Sequence, residues 1–184
     1  MPLKGVGRVD NFQKQVDDIF NGLDERVQEE INDYLLDCKR NALNEIRRCE
    51  SPIEQLLGIA FLNETSFVQG YLDSRSPRTD GYLAVLPQYQ IDTPSGKFRL
   101  DFLLELRTNL GTFRLAVECD GHAFHEKTKQ QAARDKRRDR AIVQEGIAIV
   151  RFTGSEIWAN PRRCANEAVI TLLSMLDRSN NGAA

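Results

Sequence analysis

Acidic and histidine residues gather in one short part of the sequence. Asp101 lies in one apolar segment, Glu118 and Asp120 end the next, and His122 and His125 follow directly. Carboxylate oxygens suit hard cations such as Mg²⁺, and histidine is the side chain best suited to transfer protons near neutral pH. These residue types predict metal-assisted or acid–base chemistry, or hydrogen bonds from a histidine to a metal ligand, if the fold brings them together.

The elements that must position these residues are two segments with a hydrophobic period of two. Residues 97–106 and 112–120 alternate apolar and polar side chains around the turn sequence 107–111. This period is typical of strands with one buried face, so we predict an antiparallel hairpin. Its buried face would carry Phe98, Leu100, Phe102, Leu104, Leu106, Phe113, Leu115, Val117 and Cys119.

Charges on the other face predict the register of this hairpin. A symmetric turn pairs Arg99 with Asp120 and Glu105 with Arg114. Opposite charges at facing positions each contribute about 0.2–1 kcal/mol, so both pairs favour this register.

The same register places Asp101 directly against Glu118. Two carboxylates about 4.5–5.5 Å apart repel each other, and folding alone does not favour that arrangement. A divalent cation, Mg²⁺ or in its place Mn²⁺, would relieve the repulsion. Two alternatives need no metal: a solvated face on which the repulsion is screened, and a β-bulge that shifts the pairing.

A basic segment follows the acids. Residues 127–140 hold seven Lys or Arg and two Asp, a local net charge of +5 in a chain whose formal net charge is -2. Residues 126–145 predict a helix. We expect its basic face to contact a phosphate backbone, chiefly through Lys136, Arg137 and Arg138. The alternative is a solvated helix face without a ligand.

Helices are predicted on both sides of this hairpin. Residues 10–48 show apolar spacings of three and four, typical of one long amphipathic helix or of two broken near Gly22. Ser51-Pro52-Ile53-Glu54 predicts the start of another helix with a capping box. Further predicted elements are a strand over 83–91 with Pro87 at an edge or irregularity, a buried strand over 147–152 and a last helix from Pro161.

Length and composition predict a globular protein. The 184 residues are 41% hydrophobic, which fits one domain with a helical appendage. We expect an N-terminal helical extension over 1–48, a main domain over 49–178 and a disordered tail over 179–184. The absence of a membrane-length apolar stretch and of CxxC spacing predicts a cytoplasmic protein with reduced thiols. The long helix also fits a homodimer.

The ordered motifs resemble those of the PD-(D/E)xK nuclease superfamily. They are a helix with Glu54, then Gln90, Arg99-Leu100-Asp101-Phe102, Val117-Glu118-Cys119-Asp120-Gly121 and His125. The ending, with Arg138-Asp139, Gly146, Val150-Arg151-Phe152 and Glu156, is similar to the branch around the very-short-patch-repair (Vsr-like) endonucleases. The resemblance covers about residues 50–175.

The resemblance implies an α/β (α+β) fold with a restriction-endonuclease-like αβββαβ core, a mixed sheet flanked by helices. It implies a Mg²⁺-dependent endonuclease that hydrolyses phosphodiester bonds of DNA, with double-stranded DNA as the expected partner and Asp101 and Glu118 as metal ligands. Glu54 would complete the site.

Asp120 stands where the superfamily usually has a lysine. We expect His122, His125 or a cation of the basic helix to replace that lysine. The alternatives are a catalytically inactive nucleic-acid-binding module and a protein-interaction module on the same fold.

Overall fold

The computed structural model describes residues 6–75, 79–120 and 129–181. Within them the chain forms six helices and four strands. In chain order these are α1 (Val6–Asn21), α2 (Glu25–Ile46), α3 (Pro52–Ser74), β1 (Gly81–Thr93), β2 (Gly96–Thr108), β3 (Gly111–Asp120), α4 (Lys129–Gln144), β4 (Ala148–Thr153), α5 (Gly154–Ala159) and α6 (Pro161–Asn181). The chain divides into two compact units, the first ending at Leu43 and the second beginning at Asn44.

The first unit is helical. Helices α1 and α2 are separated around Gly22, as in the second of the two predicted alternatives. No side chain of α2 is buried, and both helices leave large apolar side chains exposed, among them Ile19, Tyr34 and Leu35. The homodimer through this region stays a prediction.

The second unit is built on a four-stranded mixed sheet. The strand order is β1-β2-β3-β4, with antiparallel pairing from β1 to β3 and parallel pairing of β3 with β4. Helices flank the sheet, so the predicted α+β class is confirmed. Pro87 lies in β1, an edge strand of the sheet, which is where strands tolerate proline.

The hairpin register is confirmed over most of its length. Strands β2 and β3 pair from Phe102–Val117 to Thr108–Gly111, with Glu105 opposite Arg114. The Glu105 side chain is only 4% exposed, and Arg114 Nε donates to its Oε2 at 2.8 Å. Burial alone would raise the pKa of Glu105, but hydrogen bonds from Arg114 and Arg107 outweigh it and lower that pKa.

The prediction that the hairpin has one apolar face is wrong at the end of the hairpin away from its turn. Phe102, Leu104 and Leu106 pack under α3 and α6, whereas Phe98 and Leu100 pack with Ile142 of α4 on the other face. The change of face coincides with Gln88 in β1, whose φ of 52° is unusual for a residue with a side chain. A backbone distortion therefore lies beside Asp101, between Leu100 and Phe102.

Two apolar clusters cover the two faces of the sheet. The larger joins α3, α5 and α6 to the sheet and includes an edge-on contact between Phe61 and Phe102, with ring centroids 5.4 Å apart. Helix α5 is missing from the sequence prediction, and α6 extends to Asn181, into the segment predicted as a tail. In the part of the chain that the structure describes, no helix has the length and apolarity needed to cross a membrane.

Replacing Glu105 with Gln tests the confirmed register. The depressed pKa means that the ionised carboxylate stabilises the fold at neutral pH and loses that effect as pH falls through its folded pKa. We expect Glu105→Gln to lower the free energy of unfolding by about 1.5–3 kcal/mol at neutral pH. Denaturant unfolding at neutral and acidic pH measures this difference. A loss that is the same at both pH values would contradict the ion-pair assignment.

Candidate active site

Glu118 lies on the central strand β3 and is buried. Arg138 of α4 donates from Nη2 to Glu118 Oε1 at 2.8 Å and to the carbonyl oxygen of Arg99 at 2.6 Å. The cross-strand ladder ends at Phe102–Val117, one position before the predicted Asp101–Glu118 pair. The guanidinium of Arg138 therefore neutralises Glu118 and reduces its predicted repulsion with Asp101. The hairpin sequence alone does not predict this partner.

Asp101 lies on the neighbouring strand β2 and is half-buried. Its Oδ2 accepts a hydrogen bond from the Cys119 amide at 2.7 Å, so the carboxylate is directed at the backbone of β3. Burial raises the pKa of Asp101 to about 6, opposed by the Cys119 amide and assisted by the negative charges of Glu118 and Glu54; Arg138 lowers it. Glu118 and Glu54 therefore both lie near enough to Asp101 for their charges to act on it.

Glu54 is buried in the first turn of α3. Ser51 caps the helix by accepting from the Glu54 amide, and the Ser51 hydroxyl donates to Glu54 Oε1 at 2.8 Å. Glu54 Oε2 accepts from the Glu50 amide at 2.9 Å and from Gln88 Nε2 at 2.7 Å. A carboxylate offers about four acceptor positions, so capping leaves Glu54 little capacity for a further ligand.

Gln88 is a site residue that the sequence prediction missed. It links β1 to Glu54, and its buried Oε1 has no hydrogen-bond partner within the described residues. A buried amide oxygen without a partner costs about 1–3 kcal/mol. A left-handed glutamine in a strand has no sequence signal, although Pro87 does predict an irregularity at this point.

The predicted pair of Arg99 with Asp120 is wrong. Arg99 forms two hydrogen bonds with the carboxylate of Glu50, at 2.6 and 2.8 Å. Asp120 instead lies 3.4 Å from Arg151 of β4, which also binds Asp139. Both partners come from segments outside the hairpin, so the hairpin pattern could not predict them.

The other predicted site residues are distributed differently. Lys136 and Arg137 are exposed on α4, whereas Arg138 turns inward to Glu118. His122 and His125 lie outside the described residues.

Two cysteines border the acids. The four cysteines of the chain are free thiols, as predicted. Burial and then the charges of Glu54 and Asp101 raise the pKa of Cys49 to about 11, and burial followed by the neighbouring acids raises the pKa of Cys119 further. Since a thiolate is the nucleophilic form, these neutral thiols are packing groups rather than nucleophiles.

The donor atoms at this place fit a hard divalent cation by their chemistry. Asp101 and Glu118 offer carboxylate oxygens, Glu54 adds negative charge, and Gln88 Oε1 is a buried acceptor without a partner among the described residues. Within residues 6–75, 79–120 and 129–181, no group of three His, Cys, Asp or Glu side chains is placed so that it could bind a metal ion without rearrangement. A cation here requires Glu118 to exchange Arg138 for the ion.

A mixed sheet with helices on both faces, acids on its central strands and a basic helix beside them defines a restriction-endonuclease-like protein. The sequence model of the restriction endonuclease-like family REase_MTES_1575 matches residues 78–172 of the chain. The chain therefore belongs to this family, consistent with a PD-(D/E)xK nuclease-like domain. Neither a curated protein nor a solved structure shows a significant match to the chain.

Asp101→Asn tests the electrostatic cost of this site in metal-free protein. Because the folded pKa is raised, the wild type loses stability as pH rises from about 4 through about 6 and carries the full cost above that. The amide keeps an acceptor for Cys119 but bears no charge. After allowance for solvent screening, we expect the free energy of unfolding of the variant to be about 1–2 kcal/mol higher than that of the wild type at neutral to mildly alkaline pH in EDTA. In acid the two proteins should be equally stable.

Asp92→Asn is the matched control, since Asp92 is an exposed acid at the far end of β1 beside Lys97. It should leave the free energy of unfolding nearly unchanged at both pH values. A destabilised Asp101→Asn variant, or a gain that does not depend on pH, would show that Asp101 is not under electrostatic strain.

Proposed function

We propose that this protein is a Mg²⁺-dependent endonuclease that hydrolyses phosphodiester bonds of double-stranded DNA. The observation that carries the proposal is the half-buried Asp101, whose pKa is raised to about 6. Burial is the largest cause of this rise, the charges of Glu118 and Glu54 add to it, and the Cys119 amide and Arg138 oppose it. Membership of a restriction endonuclease-like family supports nuclease activity.

Asp101 and Glu118 would hold the ion, with Glu54 adding negative charge to the site. A bound Mg²⁺ would supply positive charge to polarise the scissile phosphate and lower the pKa of a water molecule. Gln88, which already binds Glu54, is an additional candidate for the site because its Oε1 is buried without a partner among the described residues.

The chain orients Asp101 and Glu54 before any ligand binds. The Cys119 amide fixes Asp101, while Ser51, the Glu50 amide and Gln88 fix Glu54. Side chains held in this way lose little freedom when substrate arrives, which favours a defined reaction geometry.

Arg138 is our candidate for the cation that replaces the usual lysine. Asp120 occupies the lysine position and is paired with Arg151, while Arg138 reaches Glu118 from α4. If Glu118 turns to the metal, the Arg138 guanidinium becomes available, and its planar donors suit a phosphate oxygen.

The proposal also gives roles to two exposed cations of α4 and to the two histidines. Exposed Lys136 and Arg137 would contact the phosphate backbone along α4. His122 and His125 remain candidates for proton transfer.

A second candidate function is favoured by one observation. Glu118 is satisfied by Arg138, and Glu54 by its helix cap, so both acids have structural partners without a metal. That arrangement suits a non-catalytic nucleic-acid-binding module on the same fold. It predicts salt-sensitive DNA binding without cleavage.

Plasmid nicking separates the two functions. In Mg²⁺ the wild type should convert supercoiled plasmid to nicked and linear forms, and EDTA should stop the reaction. Asp101→Ala and Glu118→Gln should each lower the rate by about a hundredfold, because each removes a negatively charged carboxylate that the proposal assigns to the metal. Circular dichroism checks that both variants remain folded.

Asp92→Asn serves as the control for loss of one acid, since its carboxylate is exposed and lies outside the site. It should cut at the wild-type rate. An Asp101→Ala protein that cuts as fast as the wild type would exclude the proposed centre, and a wild type that binds DNA but cuts in neither Mg²⁺ nor Mn²⁺ would favour the binding module.

A further inference from the structure

An open groove lies next to the candidate site within the second compact unit. Its volume is about 480 Å³, and it lies between the end of α2 and the edge strand β1. Two adjacent arginines, Arg47 and Arg48, line it together with Glu45 and Pro87. Both arginines are exposed, and within the described residues neither forms an ion pair or a side-chain hydrogen bond.

The groove is close to the acids along two routes. Pro87, on its wall, precedes Gln88, which donates to Glu54. Arg48 precedes Cys49, and the charges of Glu54, Asp101 and Arg48 all act on the pKa of the Cys49 thiol. Two residues beyond Arg48, the Glu50 amide binds Glu54. Since consecutive Cα atoms are about 3.8 Å apart, the Arg48 backbone lies within a few nucleotide spacings of the acids.

Within the sheet, the groove at β1 and the strand β4 lie on opposite sides of the candidate acids. The groove borders β1, the candidate acids lie on β2 and β3, and α4 contacts β4 and reaches back to Glu118. A DNA strand that crosses the sheet from β4 over the acids would reach Arg47 and Arg48 at the edge strand β1.

We propose that Arg47 and Arg48 bind backbone phosphates of duplex DNA that flank the scissile phosphate. Arginine presents a planar set of donors that matches phosphate oxygens, and neither guanidinium has to give up a partner among the described residues to bind one. Glu45 reduces the charge of the groove to a net +1 and so opposes phosphate binding. The proposal rests on the proposed function and identifies where its substrate is held.

Binding of a labelled DNA duplex, measured by fluorescence anisotropy in EDTA over a range of NaCl concentrations, tests this site without cleavage. Each arginine–phosphate contact adds about one to the slope of log Kd against log salt concentration. The double variant Arg47→Gln/Arg48→Gln should lower that slope by about two and bind most weakly, relative to wild type, at low salt.

Three further variants separate local contacts from net charge. Arg162→Gln/Arg163→Gln removes the same charge from an adjacent exposed pair on α6 and should change the slope much less. Arg47→Lys/Arg48→Lys should keep most of the slope, because lysine still neutralises phosphate. Glu45→Gln should tighten binding, because it removes the opposing charge from the groove.

The results distinguish this inference from the proposed function. Wild-type slopes in the Arg47→Gln/Arg48→Gln protein, or equal losses in the two double Gln variants, would overturn the groove assignment even if the protein cuts DNA. A selective loss of slope would support it even if no cleavage occurs. A wild type without measurable DNA affinity would overturn both.

Discussion

Electrostatic repulsion among buried carboxylates is the constraint on which the candidate site depends. Asp101, Glu118 and Glu54 come from β2, β3 and α3, and the charges of the other two contribute to the raised pKa of Asp101. Moving carboxylates out of water is costly unless positive charge or hydrogen bonds compensate. Arg138 and the Cys119 amide supply part of that compensation, and our proposal assigns the remainder to Mg²⁺.

The rest of the fold keeps these charges in place. The apolar cluster under α3, α5 and α6 fixes the helix that carries Glu54 against the strands that carry Asp101 and Glu118. At the distortion beside Gln88, the apolar side chains of β1 and β2 change from one face of the sheet to the other. The Gln88 amide oxygen is left without a partner among the described residues. Backbone strain and unsatisfied polar atoms often occur at functional sites, where the surrounding packing maintains them.

Periodicity and charge in the hairpin were sufficient to predict the sheet and much of its register. Glu105 and Arg114 do face each other, because a strict period of two and opposite charges admit few other pairings. The Arg99–Asp120 pair failed because both side chains have partners elsewhere, Glu50 before α3 and Arg151 on β4. Contacts that join separate segments depend on tertiary packing, and the sequence of one hairpin does not contain that information.

The inward turn of Arg138 shows the same limit. A run of basic residues predicts an exposed face, and only the packing of α4 against the sheet determines which arginine reaches Glu118. The superfamily resemblance predicts Glu54, Asp101 and Glu118 in one site, because it compares the order of motifs along the whole domain, and this site stays a prediction. The left-handed Gln88 and its bond to Glu54 lie outside both kinds of prediction.

Thermal unfolding with increasing MgCl₂, at constant ionic strength, is the most direct test that these acids form a cation site. A ligand that binds only the folded state at a hundred times its Kd stabilises it by about 2.7 kcal/mol, so we predict a rising Tm for the wild type. Asp101→Asn should lose most of this rise, whereas Asp92→Asn should keep it. A wild-type Tm that does not respond to Mg²⁺, or an equal rise in the Asp101→Asn variant, would contradict the account.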